Sequence, residues 1–390
     1  MKTAIYAGLF DPVTYGHLDI IKRAREAFDE VWVVIGSNPN KKYALSLKVR
    51  EKLLVELTRQ IHGVKVVPIG NRLLVDFAYE HNIKHIIKGV RNNQDFDYER
   101  MMHEVNATQR RGIETHILIS RPELAHVSSS ATKELARYHG IIHEYVPMKV
   151  KQTLEYVNGQ IIVGVTGTIA AGKSTITKMI EDDYHSTLGT SYRNSGGVAN
   201  IDLDKLAHEL ITTDKSPLAW NLRMDIRTTF KIPYFMPNDP IDRKLLGEKV
   251  FGNTEELAKL NNLFREPLLF KIRQAIAACN KRIILLNGAL LAEANLLFLC
   301  NNNVLLVTAN NEDTYKRLHG RGLTVEQIER RLQSQYTAEK KLQIIQERIR
   351  EDGCGYVSAI NTSTWKVPEH AILVNHWDLE QRDLQRENQK

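Results

Sequence analysis

Ile161-Ile162-Val163-Gly164-Val165-Thr166-Gly167-Thr168-Ile169-Ala170-Ala171-Gly172-Lys173-Ser174-Thr175 is the stretch that decides the fold of this chain. An apolar run opens it, and a helix-forming segment from Ile176 to Glu181 follows. Gly167 to Ser174 match G-x-x-x-x-G-K-[ST] in the strand, turn and helix setting that confirms a P-loop. Small residues let the backbone curl so that the N–H groups of Gly167, Ala170, Ala171, Gly172 and Thr175 surround the phosphates of ATP. The following helix adds its positive end. Lys173 reaches the terminal phosphates, and the Ser174 hydroxyl is placed to ligate Mg²⁺. A P-loop usually opens a domain, so the roughly 160 residues before it must form another one.

A length of 390 residues allows two or three domains. Apolar content of 43% and charged content of 25% are those of ordinary globules. The net charge of +7 suits phosphate-rich small ligands and nucleic acid alike. The basic residues are scattered, with no alternating aromatic and basic stripe, so nucleic acid is not expected as a partner. Cys279, Cys300 and Cys354 have no metal spacing and are odd in number. With no segment like a signal peptide, they point to a reducing, cytoplasmic location. The apolar region Ile283 to Cys300 is interrupted by Asn287, Gly288, Glu293 and Asn295, so no membrane span is expected.

In the first half, apolar runs alternate with amphipathic ones. Strands are expected at Thr3–Ala7, Val31–Ile35, Val64–Ile69, His85–Ile87 and Glu114–Ile119. Helices are expected from His17, over Leu47–Gln60, Leu73–Glu80, Asp97–Arg110 and Ser130–Arg137. This rhythm predicts βαβ units and a parallel sheet, with the active site beyond the strand C-terminal ends. His17, Lys41, Lys88, Arg91 and Ser128-Ser129-Ser130 fall at those ends.

Gly8-x-Phe10-Asp11-Pro12-x-Thr14-x-Gly16-His17 resembles the T/H-x-G-H signature of the nucleotidyltransferases. Residues 1–155 as a whole resemble bacterial phosphopantetheine adenylyltransferase. The pieces that carry this are Asn38 to Lys42, Leu73 to Ala78, Lys88-Gly89-Val90-Arg91, Asp95 to Glu99 and Val127 to Lys133. The resemblance implies that 4′-phosphopantetheine attacks the α-phosphate of ATP to give dephospho-CoA and pyrophosphate. It implies that His17 stabilises the transition state, and that Lys41, Lys88 and Leu73, with Leu9, hold the pantetheine substrate. Leu9, Phe10, His17, Gly89, Val90, Arg91, Glu99, Ser128, Ser129 and Ser130 would serve ATP. Leu9 stands where the family usually has Ser or Thr, and Lys88 where it usually has Arg. Bacterial relatives are hexamers, which by analogy makes a homo-oligomer an expectation.

After the P-loop, Tyr184 to Asn200 reads as a polar surface loop. Asp202 and Asp204, two apart at a strand end, are expected to face the P-loop. One carboxylate would hold Mg²⁺, here assigned to Asp202, and one would orient or deprotonate a hydroxyl. With Ile241 to Leu245, Val250-Phe251-Gly252, Glu266-Pro267, Leu290 to Glu293, Arg317 to Arg321 and Arg330 to Gln335, this half resembles dephospho-CoA kinase. The resemblance implies that Arg317 and Arg321 stabilise the transferring phosphoryl group from a lid, and that Asn361 lies near the adenine. Asn287 and Ala289 replace the aspartate and proline usual there. The fold class expected is α/β, as two doubly wound parallel-sheet domains: a Rossmann-like nucleotidyltransferase over 1–158 and a P-loop kinase over 159–377. Residues 378–390 read as a charged tail that frays.

The function implied is the last two steps of coenzyme A synthesis, with ATP, 4′-phosphopantetheine, dephospho-CoA and CoA as ligands. Two alternatives stay open. One domain could bind CoA precursors without turnover, or the same folds could act on other substrates.

Overall fold

The structure, a computed structural model, describes residues 1–38, 40–109, 111–186, 197–234, 236, 239–250, 253–333, 335–364, 384 and 386–388. Most of the expected loop from Tyr184 to Asn200, Phe251-Gly252 of the kinase pattern and much of the tail lie outside the described residues. The chain divides into two units. One is Met1–Gly159 together with Leu379–Lys390, and the other is Gln160–Asp378.

The first unit is built on five parallel strands: β1 (Thr3–Gly8), β2 (Glu30–Gly36), β3 (Val64–Gly70), β4 (His85–Val90) and β5 (Glu114–Ile119). Their order is β3-β2-β1-β4-β5. The chain thus moves outward from β1 to β3, then returns to the other side of β1. That reversal leaves a crevice beyond the C-terminal ends of β1 and β4. The helices are α1 (Tyr15–Ala27), α2 (Leu47–Thr58), α3 (Leu74–Glu80), α4 (Asn93–Thr108), α5 (Ser129–Arg137) and α6 (Met148–Val157). α1 buries Leu18, Ile20, Ile21 and Ala24, spaced to line one helical face against the sheet. α4 begins earlier than the apolar pattern suggests, because the Asn92 side chain accepts from Asp95 N–H at 2.9 Å and caps it.

Two expectations need correction here. Glu155 to Gln160 reads as a polar join between domains, and the units do divide within it, between Gly159 and Gln160, but its first residues belong to α6, which runs through to Val157. Its Val150 and Leu154 enter the core of the first unit, and Lys151, Gln152 and Thr153 are buried as well. Polar residues hid an inward-facing helix. The tail was expected to fray, yet its described residues Leu384 and Arg386–Asn388 are helical, and Leu384 packs on that same core.

The second unit repeats the plan with β6 (Ile161–Gly167), β7 (Val198–Asp202), β8 (Ile283–Asn287), β9 (Asn303–Thr308) and β10 (Tyr356–Asn361). All are parallel, in the order β10-β9-β6-β8-β7. β6 is buried at every residue, as a central parallel strand covered on both faces must be. Its helices are α7 (Lys173–Ser186), α8 (Leu203–Ile211), α9 (Pro217–Phe230), α10 (Arg243–Val250), α11 (Thr254–Ala278), α12 (Asn311–His319), α13 (Val325–Gln333) and α14 (Ala338–Asp352). α8, α9 and α10 share a core of Leu210, Ile211, Leu222, Ile226, Phe230 and Leu246. The apolar region from Ile283 becomes β8 and a buried turn. Among the described residues no helix is long and apolar enough to cross a membrane.

Candidate active sites

In the first unit the crevice is set by the join of β1 to α1. Gly8 ends β1, and a Cβ there would come within 3.0 Å of the Phe10 ring. Phe10 is buried at φ +51° and meets the His17 ring edge-on at 5.0 Å. Thr14 and His17 form a capping box at the start of α1. Thr14 N–H donates to His17 Nδ1 at 3.0 Å, and the Thr14 hydroxyl oxygen accepts from His17 N–H at 3.4 Å. Since Nδ1 accepts an N–H, the neutral ring carries its proton on Nε2. Burial, and then the charge of Arg91, lower the His17 pKa to about 4. His17 is therefore both a helix-capping residue and a neutral Nε2–H donor.

β4 brings Lys88, Gly89 and Val90 to the same end, with Arg91 just beyond. α1 packs closely here: a Cβ on Gly89 would lie 2.9 Å from Ile20 Cγ1. α4 supplies carboxylates to both cations. Lys88 Nζ pairs with Glu99 at 3.0 Å. Arg91 holds Asp95 through Nε at 2.9 Å and Nη2 at 3.3 Å, and donates to the Val127 carbonyl at 3.3 Å. Lys88 and Glu99, expected on different substrates, thus neutralise one another. At α5, Ser128 caps the helix by accepting from Ala131 N–H at 3.1 Å. Ser129 Oγ donates to the Pro12 carbonyl at 2.7 Å, and Ser130 is exposed. Leu9 is half-buried, and its carbonyl accepts from Arg50 Nη1 at 2.6 Å. Lys41 and Leu73 are exposed, and among the described residues no hydrogen bond or ion pair joins either side chain to the cluster around His17.

Asp11 and Lys133 fall within the two sequence motifs without a role legible there, and Arg50 lies outside them. Asp11 is buried. It accepts from Ala44 N–H at 3.1 Å, Leu45 N–H at 2.9 Å and Lys133 Nζ at 2.8 Å. It therefore ties α5 and the loop after β2 to the β1–α1 turn. Arg50 bonds the carbonyls of Leu9 and Gly36, which fixes the ends of β1 and β2 together.

In the second unit the P-loop closes between β6 and α7. Gly167 has φ +153°, and a Cβ there would sit 1.8 Å from the Val307 carbonyl oxygen, so only glycine fits. Gly172 also has a positive φ, +94°. Lys173 Nζ folds back on the Thr168 carbonyl at 3.1 Å, and burial lowers its pKa against the pull of Asp204. Ser174 and Thr175 are exposed. Arg317 Nη1 donates to the Ala170 carbonyl at 3.0 Å and to Thr362 Oγ1 at 2.9 Å, and Thr362 Oγ1 donates to Ala171 O at 2.8 Å. Arg317 thus girds the P-loop from α12, with Thr362, which sequence reasoning missed. Arg321 is exposed, close enough to act on the Lys173 charge. Asn361 ends β10 and donates to Asn310 Oδ1 at 3.0 Å.

Asp202 and Asp204 do not stand side by side on one strand. Asp202 ends β7 and caps α8, its Oδ1 accepting from Lys205 N–H at 2.9 Å. Asp204 lies in the first turn of α8 and accepts from Ala289 N–H at 3.4 Å. It keeps a water-facing edge while protein crowds the other side. The crowding raises its pKa, and Lys173 opposes that rise. Asn287 is buried at the end of β8, in register with Val165 and Asp202. Behind it, Lys341 of α14 is fully buried, paired with Glu293 and donating to the Ala289 carbonyl at 2.6 Å. Lys341 thus braces the loop that feeds Asp204, a role with no local signal in sequence.

Two family models match the chain. The dephospho-CoA kinase family model matches residues 161–354, and the cytidylyltransferase-like model matches residues 5–135. A phosphopantetheine adenylyltransferase of Caldanaerobacter subterraneus subsp. tengcongensis is 43% identical over 154 residues, covering 40% of this chain and 96% of its own. One from Streptococcus pyogenes serotype M2 is 40% identical over 157 residues, again covering 40% and 96%. A solved structure, TT1252 from Thermus thermophilus, reaches a TM-score of 0.39 at 20% identity over 57% of this chain and 97% of its own, too slight a likeness to argue from. The chain belongs, in its N-terminal part, to the phosphopantetheine adenylyltransferase family, and over residues 161–354 it carries a dephospho-CoA kinase domain.

Proposed function

We propose that the chain carries out the last two steps of coenzyme A synthesis, one in each unit. In the first, a phosphate oxygen of 4′-phosphopantetheine attacks the α-phosphorus of ATP. A new P–O bond forms as the bond to the α,β-bridging oxygen breaks, and dephospho-CoA and pyrophosphate result. In the second, the ribose 3′-hydroxyl of dephospho-CoA attacks the γ-phosphorus of another ATP, and CoA and ADP result. The reading is supported by the placement of His17, Lys88 and Arg91 at the strand ends of one sheet and of the P-loop at the end of β6 in the other, and the first product it assigns is the second substrate.

The first nucleophile is already an anion and needs no strong base. The unit must align two anions and answer the charge that grows on the α-phosphate. Neutral His17 gives that charge its Nε2–H without changing its own protonation. Lys41, Lys88, Leu73 and Leu9 hold the pantetheine side. Phe10, Gly89, Val90, Arg91, Glu99 and Ser128 to Ser130 hold the nucleotide. Asp95 and Glu99 keep Arg91 and Lys88 in place until substrate phosphate competes for them.

In the second unit the P-loop amides from Gly167 to Thr175 surround the phosphates, and Lys173 swings from the Thr168 carbonyl to the γ-phosphate. Asp204 orients the 3′-hydroxyl and takes its proton, a task its raised pKa favours. Arg317 and Arg321 answer the phosphoryl charge, and Asn361 lies toward the adenine. Mg²⁺ fits the donor set. The Ser174 hydroxyl is exposed, and Asp202 uses only Oδ1 as a cap, which leaves Oδ2 as a second hard oxygen. Bound there, the ion would supply charge neutralisation on the phosphates.

The cytoplasm suits the free thiols of Cys279, Cys300 and Cys354. A homo-oligomer, hexameric by analogy, suits α4. That helix buries none of its residues and leaves Phe96, Tyr98, Met101 and Val105 exposed. Light scattering of the pure protein tests this, and a monomer would refute it. For the chemistry, the protein is given 4′-phosphopantetheine, ATP and Mg²⁺, and products are followed by mass. Dephospho-CoA followed by CoA is expected; no nucleotide product would refute the reading.

A further inference from the structure

The C-terminal residues make a set of contacts that neither reaction explains. Leu384 lies on the apolar core of the first unit. Asn388 uses both ends of its amide on one short segment of backbone: Oδ1 accepts from Ser46 N–H at 2.5 Å, and Nδ2 donates to the Ala44 carbonyl at 3.1 Å. The Ser46 hydroxyl, which caps α2 by accepting from Val49 N–H at 3.3 Å, donates to the Glu387 carbonyl at 3.0 Å. The Glu387 carboxylate pairs with Lys48 at 3.2 Å and Lys52 at 3.6 Å on the first turns of α2. The same segment is bonded on its other side, where Ala44 and Leu45 give their N–H groups to Asp11. Residues 44–46 are therefore held between the β1–α1 turn and the chain's own C-terminus. They form the anchored end of the loop that carries Lys41. Within that loop, Lys41 N–H donates to the Asn38 carbonyl at 3.0 Å, and Tyr43 lies 4.2 Å from the Arg50 guanidinium.

We propose that residues 384 and 386–388 belong to a positioning segment of the first unit, which clamps residues 44–46 and so holds the Lys41 loop ready for the phosphopantetheine substrate. The chain leaves this unit at Gly159 and completes it with its last residues. The proposal rests on the adenylyltransferase reading for its kinetic consequence, but not for the contact itself. Asn388 acts as a strand neighbour would, pairing a carbonyl and an N–H two residues apart. Glu387 adds a charge contact at the positive end of α2.

The test is a full-length protein beside one that stops after residue 383, each measured in two ways. Amide exchange at Ser46 should become at least about tenfold faster without the segment, while β1 amides stay protected. In the first reaction, the KM for 4′-phosphopantetheine should rise about tenfold with kcat within about twofold, and phosphorylation of added dephospho-CoA should not change. Glu387→Lys should reproduce part of the effect, and adding Lys48→Glu and Lys52→Glu to it should restore the KM. Unchanged Ser46 exchange overturns the proposal, as does equal loss in both reactions. A full-length protein that makes no dephospho-CoA would sink the functional reading, and Ser46 exchange would then still decide the clamp.

Discussion

The two proposed phosphate sites of this chain meet one electrostatic problem with different materials. The second unit uses backbone. Gly167 and Gly172 take conformations that L side chains rarely adopt, which leaves the loop amides and one lysine free of side-chain bulk where the proposal puts a phosphate. The first unit uses side chains. His17 is fixed by Thr14 within the first turn of α1, and Lys88 by Glu99 and Arg91 by Asp95 across the join of β4 to α4. A backbone site is intolerant of any added atom but local in sequence. A side-chain site tolerates backbone change better, yet depends on several pairings between separate side chains at once.

That contrast is most exposed at Gly167. A methyl group there would overlap the Val307 carbonyl at 1.8 Å, and Val307 belongs to the neighbouring strand β9. Gly167→Ala should destabilise the second unit by more than about 4 kcal/mol and abolish CoA formation while dephospho-CoA still accumulates. Retained phosphorylation in that variant would mean that the loop does not rely on its backbone as described. His17→Ala addresses the other material. It removes one preorganised donor and should lower dephospho-CoA formation by about 10²–10³-fold, without touching phosphorylation of added dephospho-CoA. A fall in both steps would deny the two sites their independence.

The His17 ring also sharpens the comparison through pH. Its folded pKa of about 4 lies below the ordinary histidine value of 6.5, so the unfolded chain binds more protons between those limits. The contribution to stability is complete above 6.5 and is lost as pH falls toward 4, by about 3 kcal/mol in all. Protection of β1 amides, corrected for intrinsic exchange, should show this slope in the wild type and not in His17→Gln. An equal slope in both would show that the ring is not held neutral by its surroundings.

The same contrast decides what could be read from sequence. The first sheet and the central strand of the second were legible, because parallel strands buried on two faces give apolar runs such as Ile161-Ile162-Val163. The P-loop was legible because steric demand confines it to a few residue types at fixed spacing. Pairings across the fold were not. Lys341 and Glu293, Arg317 and Thr362, Asp11 and Lys133, and Ser46 and Asn388 are all far apart in the chain, and each residue alone looks like surface. Asp202 was placed correctly at a strand end, but the chain turns into α8 directly after it. The two carboxylates therefore lie on different elements, one capping and one facing Lys173. α6 went unread because its buried face carries Lys151, Gln152 and Thr153 beside Val150 and Leu154.

The smallest expected effect lies at Leu9, where the side-chain site lacks a donor usual in its relatives. The Leu9 carbonyl is fixed by Arg50 at 2.6 Å, so the backbone there does not depend on the leucine side chain. Leu9 is half-buried, and exchanging it for serine gives up little packing. Leu9→Ser should therefore place a hydroxyl beside the substrate phosphates at almost no structural cost. One hydrogen bond to a charged group is worth about 1.5–3 kcal/mol, of which part is spent on desolvating the hydroxyl. A net gain of about 1 kcal/mol corresponds to about fivefold in the kcat/KM of the first reaction. The matching change in the second unit, Ala171→Ser, should bring no gain, because the P-loop binds through its amides and is already girded by Thr362 and Arg317. If both substitutions gain equally, or neither does, the division between a side-chain site and a backbone site fails at the positions where it is easiest to measure.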